Sequence, residues 1–218
     1  VYMKLKVEAL NAKVYDVLKE NILTKKFEPG MQLIEAKLSE MYGISRTPVR
    51  EALFKLQKEG LVTKTGKSYH VCKFTKKDIS EVYELRKMMD VYAAKKVIKE
   101  IIDVMPEAEK IIDEAYNGER IDAEGVEFIS ADESFHGCIA ALTGNSRLIE
   151  DYSILRDQMR AFRAITSQKA ERRGKAKDYH RKIYEAIKKR DVDAVEKAIE
   201  QHTQYSMEDA LSDFTDDE

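Results

Sequence analysis

Residues Glu35 to Gly60 read EAKLSEMYGISRTPVREALFKLQKEG, and this stretch decides how the first part of the chain folds. Ala36 to Tyr42 suits a short helix, with Leu38 and Met41 on one face. Gly43 comes where the chain must turn, and glycine takes a left-handed backbone at little cost. Ile44 is placed to plug the gap between this helix and the next. Thr47 is a good N-cap, and Pro48 suits a first helical position because its missing N–H does no harm there. Val49, Ala52, Leu53 and Leu56 then recur at helical spacing and define an apolar back. Arg46, Thr47, Arg50 and Lys55 are grouped on the polar front, and Gly60 ends the helix.

A helix with an apolar back and arginines near its N-terminus fits the major groove of DNA. Arginine can donate two parallel hydrogen bonds to guanine or clamp a phosphate. Solvated surface arginines are the plainer alternative. The residues after Gly60 favour DNA: LVTKT and SYHVCKF are two β-prone runs around Gly66-Lys67. They form a predicted wing whose tip offers backbone amides and Lys67. Upstream, residues 8–24 predict a helix with Leu10, Val14, Val17, Leu18 and Ile22 inward, and Met31–Ile34 a short strand.

The segment GISRTPVREALFKLQKEGLV resembles the winged-helix domain of the GntR family of bacterial transcription regulators, over about residues 10–73. The resemblance implies a double-stranded operator as partner. Many relatives carry an arginine that touches DNA within E-R-x-L of the first helix. Here the corresponding residues are Glu35, Ala36, Lys37 and Leu38, so Ala36 lacks that contact and Lys37 is left to reach a phosphate.

The 218 residues suffice for two small domains or one large one, and 43% hydrophobic content supports a real core. No apolar run is long enough for a bilayer, and no secretory leader pattern is present, so the cytoplasm is the expected location. Cys72 and Cys138 suggest no disulfide framework. The net charge of −2 is unevenly spread. Residues 1–73 hold 14 Lys and Arg against 8 Asp and Glu, and the remainder 24 against 32. A basic front suits phosphates, although two ordinary domains of different charge give the same numbers.

Thr75-Lys76-Lys77-Asp78 reads as a capping box with Asp for Glu, and it places a boundary between domains 1–73 and 74–218. Helical patterns then cover about 76–103, with a break near Met88, and 106–117, 122–142, 146–168, 174–190 and 191–213. The expected fold is mainly α: a winged helix-turn-helix and then an all-α antiparallel bundle of six or seven helices.

Three of four histidines fall in that bundle, each on an apolar face. Asp132 and His136 lie four apart in SADESFHGCIAAL, on one side of a helix. His180 shares a stripe with Ile183, Tyr184 and Ile187, and His202 with Val195, Ala198, Ile199 and Tyr205. A lone inward histidine is usually a satisfied core residue. Four desolvated polar groups from three helices call for a shared partner, and a divalent ion (Zn or Ni, with Mn or Fe as further options) is an economical one.

The helical half, over about residues 75–213, is similar to the FCD ligand-binding domain that accompanies one GntR subfamily. Its metal-binding members carry D-x-x-x-H and two later histidines, a pattern met by Asp132, His136, His180 and His202. An ion with a vacant position could take a small carboxylate effector. Arg86 is the candidate for the effector's other end, with Tyr83 in the same inward stripe; a salt bridge from Arg86 to Asp90 or another carboxylate is the equal alternative. Asn145 is a further candidate contact, but a helix cap suits it better.

The regulator reading adds a homodimer on a palindromic operator. Competing readings are a sensor of the ion itself, a structural ion, and a metal-dependent hydrolase. The last lacks HExxH, and Glu133 points away from Asp132 and His136 on the helix.

Overall fold

The computed structural model describes residues 2–118, 126–163, 170–212 and 214, with side chains described for 12–118, 134–163, 175–212 and 214. The chain divides into two compact units, Val1–Phe74 and Thr75–Glu218.

The first unit, the head, packs helix α1 (Tyr2–Leu23) behind α2 (Glu35–Tyr42) and α3 (Arg46–Lys58). Strands β1 (Gln32–Leu33), β2 (Val62–Thr65) and β3 (Ser68–Val71) form an antiparallel sheet in the order β1-β3-β2. Thr65 pairs with Ser68, so Gly66 and Lys67 form the hairpin tip, and Gly66 takes a φ of 60°. Gly43 ends α2 at φ 63°, as the left-handed turn requires. Val49, Ala52, Leu53 and Leu56 are all buried, against a core that includes Val14, Leu18, Ile22 and Leu38.

Two details depart from expectation. Helix α3 starts at Arg46, with Ser45 preceding it as N-cap, so Pro48 is the third helical residue. Proline is tolerated there because first-turn N–H groups have no intrahelical acceptor. Val17 and Met41, expected inward, are 44% and 64% exposed. Among the described side chains, α1 buries Val14, Leu18, Ile22 and Leu23, and α2 buries Leu38 and Ser39. Leu10 lies outside the described side chains.

Among the described residues, every regular element of the second unit, the body, is helical. It comprises α4 (Lys76–Lys96), a π-helical turn (Val97–Ile101), α5 (Glu107–Asn117), α6 (Val126–Leu142), α7 (Ser146–Arg163), α8 (Ala170–Lys188) and α9 (Val192–Ser212). The capping box forms as read: the Asp78 amide donates to Thr75 Oγ1 at 3.2 Å, and the Thr75 amide donates to Asp78 Oδ2 at 2.8 Å. Helix α4 is unbroken at Met88; the irregularity comes later, where the π turn brings Val97, Ile98 and Ile102 all into the core. Asp191 Oδ1 accepts from the Ala194 amide and starts α9. One apolar cluster joins α4, the π turn, α5, α6, α8 and α9, with Phe135, Ile183, Ile187, Val195 and Ile199 at its centre.

Candidate metal centre and nucleic-acid interface

Helices α6, α8 and α9 each deliver one histidine to a common point in the body. His136, His180 and His202 are 2%, 1% and 0% exposed. Their Nε2 atoms form a near-equilateral triangle, with sides of 3.2 Å (136–180), 3.1 Å (136–202) and 3.2 Å (180–202). Three nitrogens each about 2.0–2.1 Å from one Zn²⁺ would be separated by roughly 2.9–3.4 Å, depending on coordination number. The triangle therefore fits an ion bound on one open face. Phe135 packs against the rings of His136 and His180, with centroids 5.4 and 5.3 Å away. Asp132, the fourth expected ligand, lies in a part of α6 whose side chains are outside the described residues.

Behind His136 stands a carboxylate. Asp90 Oδ2 lies 3.2 Å from His136 Nδ1 and also accepts from Arg86 Nε at 3.2 Å, while Asp90 Oδ1 accepts from the Tyr152 hydroxyl at 2.7 Å. Asp90 and Arg86 are 3% and 4% exposed, so this network is sealed from water. Burial alone would push the Asp90 carboxyl up; His136, Arg86 and Tyr152 more than offset it, and the group stays below the usual carboxylate range. Burial, with Arg86 and His180 nearby, holds the His136 imidazole below the usual histidine value, despite the opposing pull of Asp90. A neutral imidazole with its proton on Nδ1, facing Asp90, leaves the Nε2 lone pair free for an ion.

Arg86 thus takes the salt bridge that the sequence had left open, and its Nη1 lies 3.8 Å from Met159 Sδ. Tyr83 accepts from Arg163 Nε at 3.2 Å and lines a cleft of about 800 Å³ together with Glu84, Lys87, Tyr179 and Thr203. Asn145 caps α7: its Oδ1 accepts from the amides of Arg147 and Leu148 at 3.2 and 3.3 Å.

In the head, Arg46, Thr47 and Arg50 are exposed at the start of α3, and four-residue spacing puts the two arginines on one face. Lys37, Gly66 and Lys67 are exposed as well. Lys55 does not join this group. At about 100° per residue it sits half a turn round α3 from Arg46. Its Nζ lies 3.7 Å from the Tyr15 ring centroid and 3.9 Å from Glu59. Arg50 makes a forked ion pair with Glu35 at the start of α2: Nε donates to both carboxylate oxygens at 3.1 Å, and Nη2 to Oε2 at 2.9 Å.

Residues 10–71 match the model of the bacterial regulatory proteins of the gntR family, and residues 81–205 match that of the FCD domain. The chain belongs to the gntR family and carries an FCD domain. It is a DNA-binding transcriptional regulator rather than an enzyme. Among curated gntR-type relatives, it is 26% identical over 196 residues to an uncharacterized HTH-type transcriptional regulator, YdhC, of Bacillus subtilis, covering 89% of this chain and 88% of that protein. It is 28% identical over 192 residues to the gluconate operon transcriptional repressor of Bacillus licheniformis, covering 85% and 78%. The E. coli McbR/YncC structure shares the fold, with a TM-score of 0.74 at 18% identity over 94% of this chain and 99% of that one.

For this gntR-family chain, sequence reading missed Asp90 and Tyr152 as supports of the histidine triangle. The i,i+4 spacing of Arg86 and Asp90 was a local signal for their pairing, but nothing local to α4 indicates that His136 of α6 and Tyr152 of α7 meet the same carboxylate.

Proposed function

We propose that this regulator binds a palindromic operator as a homodimer and that a small carboxylate, bound at a divalent ion in its FCD domain, changes its operator affinity. Arg46, Thr47 and Arg50 read or grip the major groove; Lys37, Gly66 and Lys67 hold phosphates. His136, His180 and His202 hold the ion, zinc or nickel by preference, with manganese and iron as further options, and Asp132 is the fourth ligand. The ion supplies a Lewis-acidic position for a ligand oxygen. Asp90 fixes the tautomer and direction of His136, and Arg86 with Tyr152 fixes Asp90. The cytoplasm, where the operator lies, is the working compartment.

The observation that carries this reading is the buried triangle of Nε2 atoms, 3.1–3.2 Å apart. Three imidazole nitrogens aimed at one another cannot all be satisfied by mutual hydrogen bonds while neutral, whereas one cation satisfies all three. That a relative is named as the repressor of a gluconate operon, gluconate being a carboxylate, is in keeping with the effector class. Native mass spectrometry with elemental analysis tests the ion and the subunit count together. Operator gel shifts with and without a panel of small acids test the effector. A monomer with no ion, or operator affinity indifferent to every acid, would sink the corresponding part.

One observation favours a second reading, in which the ion itself is the signal. The cleft beside Tyr179 and Thr203, chain neighbours of His180 and His202, is lined by Glu84, Glu200 and Glu208 against Lys87. Such a lining favours entry of a cation over an anion. Operator affinity that tracks free metal without any organic acid would select this alternative.

A further inference from the structure

Glu35 opens α2, and its carboxylate takes the side edge of the Arg50 guanidinium, the edge formed by Nε and Nη2. Nothing among the described contacts engages Nη1, and the Arg50 side chain remains 65% exposed. An exposed ion pair contributes little to folding, so stability does not explain a fork of three hydrogen bonds at this place. Its geometric effect is larger. A guanidinium gripped along one edge loses most of its rotational freedom, and its end edge, Nη1 with the second proton of Nη2, keeps a fixed direction. That end edge is the one that matches guanine O6 and N7.

We propose that Glu35 is a positioning residue for base reading: it holds Arg50 side-on so that the end edge of the guanidinium selects one guanine in the operator. The inference rests on the proposed placement of α3 in the major groove. It also bears on Ala36, which has no side chain to reach DNA. With that contact missing from α2, the helix takes part through its neighbour Glu35, by way of Arg50. A guanidinium without its buttress would swing between bases and phosphates, and would bind DNA with less preference.

The test uses the full chain and a pool of duplexes with a randomised core, sequencing what is bound, for wild type, Glu35→Gln, Glu35→Ala and Arg50→Ala. Anisotropy titrations then compare the selected duplex with one carrying a single changed guanine. Wild type is expected to lose about 10- to 100-fold in affinity on that change. Glu35→Ala is expected to lose most of this discrimination at that one position, about tenfold, and to keep the rest of the motif. Glu35→Gln, which retains one acceptor oxygen, should fall between. A purely structural role for Glu35 would lower the melting temperature without altering base preference, and overturns the proposal. So does a Glu35→Ala chain that keeps the guanine and binds every duplex more tightly, because Glu35 would then act only as a repelling charge. If Arg50→Ala also keeps the guanine, the placement of α3 fails and the proposal with it; if Arg50→Ala alone loses it, only the role of Glu35 fails.

Discussion

Arg50 in the head and Arg86 in the body each pair with a carboxylate, but the first pair is 65% and 24% exposed and the second 4% and 3%. In water the Arg50–Glu35 pair adds little to folding stability, and the arginine keeps an edge for something else. Inside the body, neither Arg86 nor Asp90 can be left unpaired without a heavy desolvation cost, and Asp90 is held by His136 and Tyr152 as well. The head displays charge for a partner, whereas the body uses charge to fix the direction of one imidazole.

The contrast can be broken most severely at the triangle. If the triangle holds zinc as proposed, replacing His202 with Ala should lower the bound zinc well below one ion per chain in elemental analysis, because it removes one of the four proposed ligands. Binding to non-specific DNA should be unchanged, since that property belongs to the head. Next in size is Asp90→Ala, which removes the buried carboxylate that Arg86, His136 and Tyr152 share. We expect a loss of roughly 3–5 kcal/mol in urea unfolding. Tyr152→Phe, which removes the hydrogen bond to Asp90, should cost about 1 kcal/mol and weaken zinc binding at least tenfold in a chelator competition. Arg50→Ala should weaken specific operator binding by about 1–3 kcal/mol while leaving unfolding midpoints in place. If Arg50→Ala instead destabilised the chain as much as Asp90→Ala, the contrast between displayed and sealed charge would be wrong.

The smallest expected effect concerns the back of the head. Tyr15 donates to Glu59 at 2.7 Å and lies near Lys19 and Lys55. Burial, reinforced by the bond to Glu59 and opposed by Lys19, raises its phenol from 10.0 to about 12. The folded head therefore holds this proton to higher pH than the unfolded chain does. Stability linked to Tyr15 is intact below pH 10 and is lost as pH rises towards about 12. Tyr15→Phe should flatten the alkaline limb of a melting-temperature profile and leave the neutral region almost unmoved.

How much could be read without coordinates depends on the range of the interactions. The apolar back of α3, the left-handed Gly43 and the capping box of α4 depend on residues within a turn or two, and the sequence displays them. The three histidines were legible because each sits in its own helical stripe, and a stripe reveals which way a side chain points. Lys55 carries the charge of the group, but its spacing puts it half a turn from Arg46 on α3. Thr-Pro is the stronger cap signal in the sequence, yet α3 starts two residues earlier, after Ser45, which makes no side-chain cap bond. Asp90 as the support of His136 lay out of reach, because that contact joins residues 46 positions apart on separate helices.

The wide turn at Val97–Ile101 has a consequence for how this domain tolerates changes in length. A π turn carries one residue more than an α turn of the same rise. Upstream of it, the rotation of α4 is pinned by Thr75 and Asp78, so Asp90 faces His136 independently of the residues beyond the turn. Removing one residue between 97 and 101 should tighten the turn to ordinary helix and leave α5 in phase, with zinc uptake as the readout. The same deletion placed between Asp78 and Asp90 should swing Asp90 out of line by about 100° and abolish uptake. The domain thus has slack on one side of its histidine triangle and none on the other.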